Sequence, residues 1–236
     1  KTCYLFSCTQ NFEQSLEILL DFVQTPYFTP QTVQKEQGII GQEIKMYDDS
    51  PDWRVMFNLL EAMYHNHPVK IDIAGTVASI ANITADTLYT CYNSFYNLNN
   101  MVLCVAGNVS PQTVEEIANR LLKPCKKQTV QTFFPEEPYA VARDYVEQTF
   151  PVRVPLFQLG FKGTAGNARC TAKELAQTDI LLFALASNSS ALYRELMEEK
   201  LINATFCHEF FEGPSYSSII FSGESRDPQK TAQIIK

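Results

Sequence analysis

Lys35-Glu36-Gln37-Gly38-Ile39-Ile40-Gly41-Gln42-Glu43-Ile44-Lys45-Met46-Tyr47-Asp48-Asp49 is the most informative stretch of this chain. Val33, Ile40 and Ile44 recur at helical spacing on or near one face and Glu36 and Glu43 on another, so about 32–46 reads as a helix. Gly38 and Gly41 lower its intrinsic propensity by roughly 1 kcal/mol each, which points either to close packing at those positions or to none. Asp48-Asp49-Ser50-Pro51 ends the helix and caps a further one, about 52–64, carrying Trp53, Val55, Met56, Leu59, Leu60 and Met63. Glu36 and Glu43 point the same way on the helix but stand about 10 Å apart along its axis, too far for both to hold one metal ion directly. Composition by itself would turn both to solvent.

Working outward, Thr2–Cys8 alternates like a strand, and Phe12, Leu16, Leu19, Leu20 and Val23 mark an amphipathic helix over 12–24. On the other side, His65 begins a loop running to Gly75, and Thr84-Ala85-Asp86 caps a helix carrying Leu88, Tyr92, Phe95 and Tyr96. The apolar run Met101–Gly107 reads as a strand. Ser110-Pro111 then starts a helix with Val114, Ile117, Leu121 and Leu122, completing a strand-to-helix unit of an α/β layered fold. Between 123 and 150 the texture changes to Gln, Thr, Pro and charge without periodicity, the best candidate boundary. Beyond it, 154–161 reads as a strand, 175–187 and 189–197 as helices, 204–211 and 216–224 as a strand pair, and 227–235 as the start of a helix. Leu5–Cys8 before the helix at 12 echoes Ile220–Gly223 before the helix near 227, an offset of 215 residues that a tandem pair of similar domains would produce.

The chain has 236 residues, 45% of them hydrophobic, enough for a sizeable core in one large or two small domains. Net charge is −7, and no basic block exceeds the short run Lys123–Lys127, which argues against nucleic acid as a partner. Seven cysteines, an odd number without paired-ligand spacing, suit reduced thiols in a cytoplasmic protein. No apolar run reaches the length of a membrane span, so no membrane partner is expected.

Other candidate chemistry is thin. Gly107 before a helix lacks G-x-G-x-x-G or a lysine-bearing loop, so phosphate binding is not indicated. His65 and His67, two apart, converge on a metal only from an extended backbone, with no carboxylate or cysteine set at ligand spacing; a structural loop role is expected. Cys207 and His208 are neighbours in an apparent strand and face opposite ways, which disfavours a dyad. Ser7, Ser189 and Ser190 lack a G-x-S-x-G elbow.

The helix around Glu36 and Glu43 resembles the one that supplies the distal glutamate ligand in the pitrilysin-like, or inverted-zincin, peptidases, the family of insulin-degrading enzymes and mitochondrial processing peptidases. His67-Pro68, Gly75-Thr76, Ile83-Thr84, Phe95-Tyr96, Asn99-Asn100-Met101, Val105, Gly107 and Ser110 extend the resemblance through a first domain, and Ser189–Leu196 into a second. The version Gln37–Asp49, with Trp53 following, is closest to bacterial cytoplasmic members. In the family this helix carries E-x-x-x-x-x-x-E with the later glutamate on zinc. The resemblance therefore implies Glu43 as the metal ligand and Glu36 as a supporting residue that holds the site's geometry by hydrogen bonds.

The family's two histidine ligands and its general-base glutamate come from an upstream H-x-x-E-H helix. The three histidines here, His65, His67 and His208, do not fit that motif, so no catalytic residue of it lies in this chain. The chain is accordingly expected to be an internal piece of a larger zinc metalloendopeptidase: 1–130 the later portion of one peptidase-like domain, 131–150 a linker, and 151–236 the early portion of a second. The expected fold class is α/β (α+β), a layered antiparallel or mixed sheet with helices, each domain incomplete. By resemblance, the full-length protein hydrolyses peptides or unfolded polypeptides by metal-activated water. This chain alone is expected to be inactive and to bind no zinc, since one carboxylate is a poor site. The alternative is a non-catalytic family member serving as a structural or substrate-recognition subunit. The partners implied are a peptide or unfolded substrate and a second copy or a related subunit in a dimer.

Overall fold

The computed structural model describes residues 2–163 and 170–236. It is a mixed α/β fold in which helices accompany a small antiparallel sheet. The chain forms two compact units, each built from two stretches: Lys1–Ile40 with Val77–Thr132, and Gly41–Thr76 with Phe133–Lys236.

In the first unit, α1 (Phe12–Gln24) buries Leu16 and Leu20 against Ile117 of a later helix, α6 (Pro111–Leu121), with Phe6, Phe12, Val114 and Leu121 closing the cluster. The apolar positions follow the 3.6-residue period that the sequence displays. Gln24 fastens the two helix ends: its Nε2 donates to the Leu121 carbonyl (3.3 Å), and its Oε1 accepts from the Lys123 N–H (2.8 Å). Between them run the first half of α2 (Pro30–Asp48), then α4 (Val77–Ile80) and α5 (Ala85–Phe95). Thr84 and Thr87 form a reciprocal capping box at the start of α5. The Tyr92 hydroxyl donates to the Val23 carbonyl at 2.7 Å, while Tyr4 and Tyr96 share a 2.7 Å hydroxyl contact that pushes the Tyr4 pKa up to about 12.

The second unit is layered. Its sheet consists of β1 (Leu156–Lys162), β2 (Cys207–Gly213) and β3 (Tyr216–Glu224) in the order β1-β3-β2, antiparallel throughout. The registers Leu159↔Phe221, Phe161↔Ile219 and Phe210↔Ile219 place these apolar residues on one face, because side chains alternate with period two. That face packs on α7 (Ala172–Ala186) and α8 (Ala191–Glu198), around Phe157, Leu182, Ala186, Leu196, Phe206 and Phe221. The opposite face receives α3 (Pro51–Met63): a Cβ at Gly160 would collide with the Met63 sulfur, and Leu60, Met63 and Tyr64 are buried beside Phe211 and Tyr216. The last helix is α9 (Pro228–Ile235), whose Thr231 is buried and bonded to Ser225. α7 begins three residues before the expected start, because Thr171 and Glu174 cap it reciprocally.

Two expectations need correcting. Thr2–Cys8 and Met101–Gly107 are not strands in the structure. Both have strand-like composition, but a strand exists only when a neighbour accepts its backbone hydrogen bonds. Among the described residues neither stretch is paired, and Leu5 and Val102 stand 78% and 94% exposed where a buried strand would hide them.

The segment around 137 is held into the second unit by a buried charge pair. Glu137 accepts from the backbone N–H of His65, Asn66 and His67, each at 2.7 Å, and from the Lys162 ammonium at 2.6 Å. Lys162 also donates to the carbonyls of Pro138 and Ala140 and lies 4.9 Å over the Tyr64 ring. Both charged side chains are almost wholly buried, at 2% and 1% exposure. Further along, the Arg143 N–H donates to the Ala62 carbonyl (2.9 Å) and Asn58 bonds Gln148 (2.8 Å), so 137–148 is fastened to α3 and the loop after it.

Burial alone would raise the Glu137 pKa; the Lys162 ammonium and the three backbone donors outweigh it and draw it down to about 2. A carboxylate depressed in the folded state stabilises the fold above its ordinary 4.5, and that contribution is lost as pH falls from 4.5 toward about 2. Glu137→Gln leaves Lys162 buried without its counter-charge and is expected to cost about 3 kcal/mol or more at neutral pH. Denaturant titration followed by the single tryptophan, Trp53, measures this. The acid loss of stability between pH 4.5 and 2 should be correspondingly shallower in the variant.

Candidate metal-ligand site

Glu43 lies in the second half of α2, two residues before that helix's last-turn lysine, on its solvent-exposed side; Ile44, next to it, is buried. The Tyr47 hydroxyl, one turn on, donates to Glu43 Oε1 at 2.8 Å. The carboxylate raises the Tyr47 pKa, first through that hydrogen bond and then through its charge. The other carboxylate oxygen, Oε2, accepts no hydrogen bond from the described residues.

The corner between α2 and α3 sets this arrangement. Ser50 caps α3, its side chain accepting from the Trp53 N–H, with Pro51 at the first helical position. That turn brings the Trp53 indole flat against the Tyr47 ring, centroids 4.4 Å apart and planes 19° off parallel. The indole N–H donates to Asp72 Oδ2 at 2.8 Å, and Asp72 Oδ1 accepts from the Ala74 N–H at 2.9 Å.

Glu36, the other glutamate of the pattern, is exposed on α2 in the first unit. Its neighbour Gln37 is the anchored residue there: its amide donates to the carbonyls of Ile80 and Ile83, both at 2.9 Å. Gly38 faces open space, with nothing within 4 Å of a Cβ built on it, so close packing does not explain that glycine.

Glu43 offers one hard oxygen donor, which fits one position of a zinc site. Among the described residues no three His, Cys, Asp or Glu side chains come together as a metal cluster. His65 is tied in through its backbone, its N–H donating to Glu137 and its carbonyl accepting from Lys70, whereas His67 is engaged through its ring. His67 is buried, its Nδ1 accepts from the Val69 N–H (3.0 Å), and its Nε2–H donates to the Pro214 carbonyl (3.1 Å), so neither ring nitrogen is left for a metal. Its ring also stacks on Phe134 at 5.1 Å. On β2, Cys207 pairs with Ser222 and His208 with Phe221, on opposite faces of the sheet, and they form no dyad. No motif in the sequence marks Tyr47 or Asp72; the i,i+4 spacing of Glu43 and Tyr47 on a helix is the available signal for the first.

The family model for insulinase (peptidase family M16) matches residues 1–77, and that for the peptidase M16 inactive domain matches residues 82–236. The chain belongs to the M16 peptidase family. An uncharacterised zinc protease of Bacillus subtilis (strain 168), YmfH, is 43% identical over all of this chain and 56% of its own length. A crystal structure described as an M16-like peptidase from Alicyclobacillus acidocaldarius superposes with a TM-score of 0.88 at 37% identity, covering 96% of this chain and 55% of that one. A protease from Helicobacter pylori shares the fold, with a TM-score of 0.78 at 21% identity over 95% of this chain and 56% of that one. The chain thus spans about half the length of these M16 relatives.

Burial pushes the His67 pKa below the ordinary 6.5, outweighing the Pro214 carbonyl, which favours the protonated ring. Its contribution to stability is full above 6.5 and is lost as pH falls through 6.5 toward the lower folded value. His67→Ala strips the Val69 N–H and the Pro214 carbonyl of their partners and is expected to cost about 1–3 kcal/mol. In a proton NMR titration the His67 ring should ionise below 6.5, and added zinc should leave its signals in place.

Proposed function

We propose that this chain is part of a zinc-dependent metalloendopeptidase in which Glu43 is one ligand of the metal and Glu36 a supporting residue. Membership in the M16 family, with a relative named as a zinc protease at 43% identity over the whole chain, carries the reading. The exposed Glu43 carboxylate, one oxygen bonded by Tyr47 and the other open, suits that role. The histidine ligands and the general-base glutamate would come from an H-x-x-E-H helix elsewhere in the full-length polypeptide. A bound zinc in such a site supplies Lewis acidity and an activated water. What this chain contributes is a placed carboxylate on a helix; by itself it is inactive.

The substrates under this reading are peptides or unfolded polypeptides, the compartment is the cytoplasm, and the working assembly is a homodimer or a heterodimer with a related subunit. No helix among the described residues is long and apolar enough to cross a membrane.

The test compares zinc content and hydrolysis of a quenched-fluorescence peptide library for the full-length protein, its Glu43→Gln variant and the 236-residue chain. The full-length protein should contain zinc and cleave, Glu43→Gln should lose activity by about 100-fold or more, and the short chain should do nothing. A full-length protein that neither holds zinc nor cleaves would be a non-catalytic subunit instead.

A further inference from the structure

The geometry points to Tyr47 as the positioning residue for Glu43, holding the carboxylate in one orientation with Oε1 committed to a hydrogen bond and Oε2 left for a cation. The inference rests on the reading of Glu43 as a metal ligand and adds to it a device that would hold that carboxylate in one orientation.

A glutamate on the exposed side of a helix has several staggered rotamers open to it. Side chains on a helix lean toward its N-terminus, so a residue four positions later reaches back over Glu43. Tyr47 does this with a hydroxyl 2.8 Å from Oε1. The bond to an ionised acceptor is of the stronger, charge-assisted kind.

The hydroxyl can select a rotamer only if its own ring is fixed, and the ring is fixed from outside α2. Trp53 stacks on it at 4.4 Å and 19°, and is itself held at its edge by the 2.8 Å bond to Asp72 and by Phe57 at 5.2 Å. Asp72 is tied down in turn by the Ala74 N–H. Orientation therefore passes from the loop at 72–74 through the indole and the phenol to one carboxylate oxygen. A clamp that merely joined α2 to α3 would need the two rings; it would not need the hydroxyl to meet Glu43.

That difference supplies the test. Tyr47→Phe keeps the ring stack and deletes only the hydroxyl. In the full-length protein, zinc affinity is measured by competition with a chromogenic chelator, alongside thermal melting and the separate values of kcat and KM. Tyr47→Phe should weaken zinc binding by about 10- to 100-fold, the range for partners that orient metal ligands. Melting of the metal-free protein should be unchanged, and kcat at subsaturating zinc should fall with KM unaltered, because Tyr47 would touch no substrate. Glu43→Gln, run in parallel, should abolish tight zinc binding. If Glu43→Gln loses zinc while Tyr47→Phe binds it as the parent does, the positioning role is overturned and the ligand assignment stands. If Glu43→Gln keeps zinc, or the parent binds none, the ligand assignment falls and the positioning role with it.

Discussion

The buried pair of Glu137 and Lys162 is the constraint around which the second unit is arranged. A charge taken out of water costs several kcal/mol unless every lone pair and proton finds a partner. Here the partners are spread over the chain: backbone N–H groups at 65–67, carbonyls at 138 and 140, the Tyr64 ring and the end of β1. Each must be in place for the pair to be tolerated. The pair therefore dictates the path of 133–140, the conformation of the loop after α3, and the face of β1 that meets α3. His67, Phe134, Tyr64 and Tyr216 fill the apolar space that this leaves.

The corner at 47–53 is a smaller version of the same logic. Ser50 and Pro51 end one helix and begin the next within three residues, and the rings of Tyr47 and Trp53 meet across the turn. Polar edges of both rings are used: the indole N–H finds Asp72, and the phenol hydroxyl finds Glu43. Aromatic residues with a polar end bury their faces and direct that end to a specific acceptor, which is how packing becomes orientation. The carboxylate that meets the phenol is on the exposed side of α2.

Legibility from sequence followed the range of the hydrogen bonds. α1, α3, α5 and α6 lie within a residue or two of their expected bounds, because a helix closes its bonds internally and its caps sit next to it in the chain. The pair β2 and β3 was recoverable because its strands adjoin in sequence and flank a tight turn at Pro214-Ser215. Thr2–Cys8 and Met101–Gly107 misled, since alternation and apolarity describe a surface that suits a sheet without saying whether a partner strand is there. At the site, Glu36 and Glu43 were visible as a spacing on one helix; Asp72 was not, being 19 residues from Trp53 and linked to it only by a loop.

By itself, the sequence determined the helices with their caps, the absence of an H-x-x-E-H motif, and the family pattern on α2, all of which reside in local spacing. Tertiary structure decided which apolar runs became strands, that His67 is a buried brace with both nitrogens engaged, and that Glu137 closes on the loop at 65–67. It also decided that Tyr47 is held so as to bond Glu43. Several of those outcomes depend on partners far along the chain, 70 residues between Glu137 and His67 and 147 between His67 and Pro214. Side chains that meet across such distances do so because charge and polar groups leaving water must be matched, and periodicity along the chain carries no record of who the match will be.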